Sequence, residues 1–191
     1  MALEPIKPQQ GVITHLSIKK IKNKVREIIL KNSIMKTSDL LAQVKEKTGV
    51  SCIGLERKIA RIRHNVGSNI ADIQGWDVVV RGNDGSCMEY YVAQPPMMGM
   101  TQPQPISCPL GIIAFDDYKI DIKEAIEIFK TQNGGDKFTE ISLSWPLVHP
   151  AAPEPFWHFR TNLGHTVVIG ANSGQVKGFP TNVILYMAKP K

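Results

Sequence analysis

The chain has 191 residues, 42% of them apolar and 21% charged, with a formal net charge of +6. That balance allows a core in one medium domain or two small ones and excludes disorder throughout. No apolar run approaches the roughly 18 residues of a membrane span, the opening MALEPIKPQQG has no signal-like apolar stretch, and Cys52, Cys87 and Cys108 form no CxxC pair, which excludes a membrane protein, a secreted disulfide scaffold and a cysteine-rich zinc module. The expectation is a cytoplasmic chain with free thiols and no cofactor.

The charge is uneven. Residues 1–94 hold 15 basic and 9 acidic side chains, a balance of +6, whereas residues 95–191 hold 8 of each. A basic segment beside a neutral one points to two modules, one of which meets a polyanion. No internal repeat is visible between the halves.

In chain order, the segment 17–31 places Ile18, Ile21, Val25, Ile28 and Ile29 on one helical face and Lys19, Lys20, Lys22, Lys24 and Arg26 on the other. A second helix is expected over 38–48, with Leu40, Leu41 and Val44 inward and Gly49 as its stop. A third is expected from Ser51 to about Val66. There Leu55, Ile59, Ile62 and Val66 fall within about 60° of one another on a helical projection. The opposite side carries Arg57, Ala60, Arg61 and His64, with Lys58 and Asn65 on the flank. Arginine meets guanine edges bidentately and lysine meets phosphate, so this face has the form of a recognition helix. A hairpin follows: residues 76–81 and 88–92 are strand-like, and Asn83-Asp84-Gly85 supplies the turn.

Three helices and a hairpin over about 15–93 resemble the winged-helix fold, a helix-turn-helix variant. The resemblance is carried by the stretch from Val50 to Ala93, with Gly67 and Ile70 at the loop and Tyr91-Val92 closing the wing. It implies duplex DNA binding through Arg57, Lys58, Arg61, His64 and Asn65, with support from Lys19, Lys20 and Lys22 and from Arg81 in the wing.

Residues 95–109 read as a linker, because Pro95, Pro96, Pro103, Pro105 and Pro109 oppose regular structure. Beyond it, Asp121 caps a helix whose stripe is Ile122, Ala125, Ile126 and Phe129, ended by Gly134 and Gly135. Strands are expected over 138–145, 156–162, 165–171 and 181–188. The stretch 118–178 resembles a PepSY-type domain, on the helix with Ala125, on Pro155-Phe156-Trp157 entering a strand, and on the closing strand 167–176. Gly170 departs from that pattern, standing where an acidic residue is frequent. The resemblance implies binding or inhibition rather than catalysis.

The fold class expected is α+β. A winged-helix domain (1–94) is joined by a Pro/Met-rich linker (95–109) to a small helix-plus-antiparallel-sheet domain (110–191) for oligomerisation or for an effector or protein partner. His149, His158 and His165 lack metal-ligand spacing, Asp116-Asp117 precedes a helix without a partner base, and no phosphate-binding loop occurs. The function expected is a cytoplasmic, non-enzymatic transcription regulator on double-stranded DNA, with a homodimer left open. The alternative is an adaptor or inhibitor whose two modules both bind protein.

Overall fold

The computed structural model describes residues 37–94, 97, 99–133, 135–148 and 152–178. The helix expected over 17–31, residues Lys19, Lys20 and Lys22, and the strand expected over 181–188 lie outside the described residues.

Helix α1 (Thr37–Thr48) buries Leu40 and Val44, one turn apart, and matches its dipole with Asp39 in the first turn and Lys45 and Lys47 in the last. Gly49 stops it at φ +72°, a left-handed conformation suited to glycine, and donates its N–H to the Lys45 carbonyl at 2.8 Å. Next come the strands β1 (Cys52–Ile62), β2 (Ile73–Gly82) and β3 (Cys87–Ala93). The β2–β3 turn is the expected one: Asp84 accepts from the Ser86 N–H at 3.0 Å, and Gly85 sits at φ +80°. Three short strands follow: β4 (Gly99–Met100), β5 (Gln104–Ile106) and β6 (Ile112–Ile113). Helix α2 (Ile122–Lys130) is capped by Asp121, whose carboxylate accepts from the Glu124 N–H at 2.9 Å, and it buries the expected stripe. The chain then forms β7 (Phe138–Pro146), β8 (Phe156–Thr161), β9 (Thr166–Gly170) and β10 (Val176–Gly178).

The strands form one antiparallel sheet in the order β10-β9-β8-β7-β1-β2-β3-β4, with β5 on β3 and β6 on β7. This overturns the winged helix. Residues 52–62 are a central strand, not a recognition helix, and the two halves of the chain share one sheet, with β5 drawn from the stretch read as a linker. The physical reason is tertiary. Glu56, Arg57, Lys58, Ala60 and Arg61 are all good helix formers, but intrinsic propensity is a small preference per residue, and pairing with β2 on one side and β7 on the other outweighs it.

The sheet consists of two αβββ halves, α1-β1-β2-β3 and α2-β7-β8-β9. Each meanders outward from its first strand, and the first strands meet antiparallel through Arg57↔Ser144, Lys58↔Leu143 and Ile59↔Ser142. An approximate two-fold axis normal to the sheet therefore passes near the Lys58/Leu143 pair. One face carries the row Tyr90, Val78, Lys58, Leu143, Trp157 and Ile169, all buried. Both helices join this face in a single core. A smaller apolar cluster of Ala152, Phe156 and Val168 lies apart from that core.

Close approach fixes particular glycines. A Cβ at Gly54 would meet the Phe115 carbonyl oxygen at 2.7 Å, where Leu55 and Phe115 exchange two backbone hydrogen bonds. A Cβ at Gly170 would strike the Glu154 and Ser173 side chains.

Cys87 and Cys108 form a disulfide with Cα atoms 5.1 Å apart, and Cys52 is free. This corrects the expectation of three free thiols. The bridge ties the segment that carries β5 to the start of β3.

Candidate functional site

The residues expected to contact DNA do not share one face. Along β1 the side chains alternate between faces, interrupted by a register shift between Leu55 and Arg57. Lys58 points into the core, whereas Arg57 and Arg61 lie on the opposite face. His64 and Asn65 sit in a turn at φ 55° and 60°.

Most of the charges are already engaged. Arg61 clasps Asp77 with its Nε 2.8 Å from Oδ2 and its Nη2 2.6 Å from Oδ1, and its guanidinium lies 4.5 Å from the Tyr91 ring centroid. Arg81 pairs with Glu56, whose side chain is wholly buried and whose Oε2 has no partner among the described residues. A buried carboxylate needs such a partner, so Arg81 serves the fold first.

Lys58 is held differently. Its Nζ donates to the Tyr118 hydroxyl and lies 4.8 Å from the Trp76 ring centroid, 4.8 Å from that of Tyr118 and 4.5 Å from that of Trp157. The rings are themselves fixed. Trp157 Nε1 donates to the Ile120 carbonyl at 2.8 Å, and Trp76 Nε1 donates to Gln94 at 3.2 Å. Tyr118 meets Trp157 edge-on, with centroids 5.8 Å apart. No ion pair engages Lys58 among the described residues.

The opposite face holds His158, in a row with Ile59, Ser142 and Val168. Burial pushes the His158 imidazole down to about 4. At the neighbouring turn, burial alone would raise the Glu154 carboxyl. The Ser173 hydroxyl and the Asn172 and Ser173 N–H groups, aided by Lys177, outweigh burial and hold it below its usual range.

Both groups make stability fall in acid. The unfolded chain protonates His158 near pH 6.5, while the folded chain resists until about pH 4. Stability is therefore complete above pH 6.5 and falls between 6.5 and 4, by up to about 3 kcal/mol. Glu154 adds a loss at lower pH, as its carboxylate is protonated. Urea unfolding at pH 7 and pH 4.5 measures the drop, and a non-titrating His158→Gln chain should show a distinctly flatter dependence. An equal slope in both chains would remove His158 as the cause.

Three exposed apolar side chains lie near the end of one ladder. The β6–β7 ladder pairs Ile112 with Pro146 and continues through the Leu147 N–H, which donates to the Gly111 carbonyl at 2.8 Å. That register brings Leu110 towards Val148. Leu110 is 96% exposed, Leu147 63% and Val148 41%. Scattered single exposed leucines are ordinary; here three exposed apolar side chains fall near the end of one ladder.

The sequence reading missed both this ladder end and the enclosure of Lys58. Leu110 lies just past the stretch read as a linker, and Leu147 and Val148 fall between the strands expected over 138–145 and 156–162. The three rings come from positions dispersed along the chain, so no local motif announces them.

No group of three or more His, Cys, Asp or Glu among the described residues is placed to hold a metal ion. No helix among them is long and apolar enough to cross a membrane. Comparison with known proteins finds no matching family model, no matching curated protein and no matching solved structure.

Proposed function

We propose that this chain is a non-enzymatic binding protein, an adaptor or inhibitor, that engages a protein partner at the ladder end formed by Leu110, Leu147 and Val148. The carrying observation is the exposure of these three side chains on backbone that the Leu147–Gly111 hydrogen bond orders. A partner gains apolar burial there, and little ordering remains to be done when it binds. The resemblance of residues 118–178 to PepSY-type domains supports the same reading, because it implies binding or inhibition. The Cys87–Cys108 bridge favours an oxidising compartment over the expected cytoplasm.

DNA binding is the competing reading, and it now rests on another part of the chain. Residues 1–36 hold 8 basic and 2 acidic side chains, 8 − 2 = +6, whereas residues 37–191 hold 15 of each. The entire excess thus lies before the described sheet, in the stretch that includes Lys19, Lys20 and Lys22. Attraction of that segment to phosphate is non-specific and strongly salt-dependent.

Two variants of the full chain separate the readings. Leu110→Asp with Leu147→Asp should leave stability within about 0.5 kcal/mol, since both side chains are exposed. It should weaken, by tenfold or more, the complex with a partner identified by crosslinking. Arg57→Ala with Arg61→Ala should leave duplex DNA affinity unchanged in a mobility-shift titration, whereas Lys19→Ala, Lys20→Ala and Lys22→Ala together should lower it. An unaffected partner complex would sink the protein-binding surface. Loss of duplex affinity in a folded Arg57/Arg61 variant would return DNA contact to β1.

A further inference from the structure

We propose that Trp76, Tyr118 and Trp157 form an alkylammonium-binding box, distinct from the apolar ladder end, and that Lys58 is its built-in ligand. In the row across the sheet, Lys58 stands between Val78 and Leu143, where an aliphatic side chain would complete the core. Instead the position carries an ammonium within 4.8 Å of three ring centroids. Its one hydrogen-bond acceptor among the described residues is the Tyr118 hydroxyl. The charge is thus met by the negative faces of aromatic rings, the means by which proteins recognise alkylammonium groups, methylated lysine and choline.

The box is built before its guest arrives. Trp76 comes from β2, Trp157 from β8 and Tyr118 from the segment before α2, and each tryptophan N–H is tied to an acceptor outside the box. Trp157 is fully buried, whereas Trp76 and Tyr118 are partly exposed. With Lys58 in place the box is full. An external ammonium enters only when that side chain is absent.

Truncation of Lys58 to alanine removes the equivalent of n-propylammonium, which is therefore the probe. In the full-length Lys58→Ala chain, n-propylammonium should produce a saturable change in tryptophan fluorescence and raise the melting temperature. It should bind about tenfold more tightly than 1-propanol, a neutral molecule of the same length, and that ratio corresponds to about 1.4 kcal/mol. The wild-type chain should respond to neither. Equal effects of the amine and the alcohol, or no effect on a folded variant, would overturn the proposal. If Lys58→Ala does not fold, the comparison moves to Lys58→Arg and Lys58→Met. The proposal requires the arginine chain to melt clearly above the methionine chain, and a methionine chain as stable as wild type would overturn it.

Discussion

Replacing Trp157 by alanine should cost about 4 kcal/mol and lower the melting temperature by roughly 8–16 °C. Trp157 is the largest fully buried side chain in the protein. Its loss removes apolar burial from the centre of the sheet, leaves a void that neighbouring strands fill only in part, and strips the Ile120 carbonyl of its 2.8 Å donor. It also opens one wall around Lys58, so an ammonium deep in the core loses a ring face that compensates it. Urea unfolding followed by far-UV circular dichroism gives the free energy. Trp157→Phe separates the contributions: it restores much of the volume and a π face but not the N–H, and should recover more than half of the loss. A cost under about 1 kcal/mol for Trp157→Ala would mean that the centre of the sheet is not packed as described.

The second large effect concerns the Cys87–Cys108 bridge, which closes a loop across a sequence separation of 21. A loop of that size contributes about 3 kcal/mol by constraining the unfolded chain. The Cys87→Ser/Cys108→Ser chain should therefore unfold at lower urea by that amount, and reduction of the native chain should reproduce the loss. Thiol counting is the direct check. Denatured chains should show one reactive thiol before reduction and three after, in keeping with one free cysteine and one pair. The free thiol, Cys52, is held up mainly by burial, with Asp84 adding to it, which makes it a poor nucleophile at neutral pH. Three thiols without reduction would show that the bridge does not form in solution.

Several elements were legible in the sequence because one signal dominated each. The stripe Ile122, Ala125, Ile126 and Phe129 behind an Asp cap has only a helical reading, and the structure buries all four. The β2–β3 hairpin follows from strand-like residues around Asn83-Asp84-Gly85, β7 and β8 follow from alternation, and β9 from a short β-branched run. Residues 52–62 were illegible because Leu55, Ile59 and Ile62 satisfy a period of 3.6, while the actual alternation is broken by a register shift and has a lysine at an inward position. Val66, assigned to the core stripe, is 43% exposed. The enclosure of Lys58 was beyond reach for another reason: Trp76, Tyr118 and Trp157 are separated by 42 and 39 residues, and only the pairing of β1 with both halves of the sheet brings them together. The repeated αβββ unit was hidden as well. Positions related by the axis, such as Val78 and Trp157 or Arg57 and Ser142, match in place and not in chemistry.

The two-fold axis sets a limit on how alike the halves can be. Away from it, related positions lie far apart, and nothing prevents them from carrying the same residue. At the axis, Lys58 and Leu143 are related to each other and are also direct neighbours on adjacent strands. Identical halves with lysine at this position would place two ammoniums side by side, and like charges directly opposite on a sheet destabilise it. Identical halves with leucine would leave the aromatic enclosure without a cation. A single central charge thus makes this protein necessarily lopsided. The two halves can share a backbone but cannot exchange sequences, and a chain assembled from two copies of either half would not reproduce this centre.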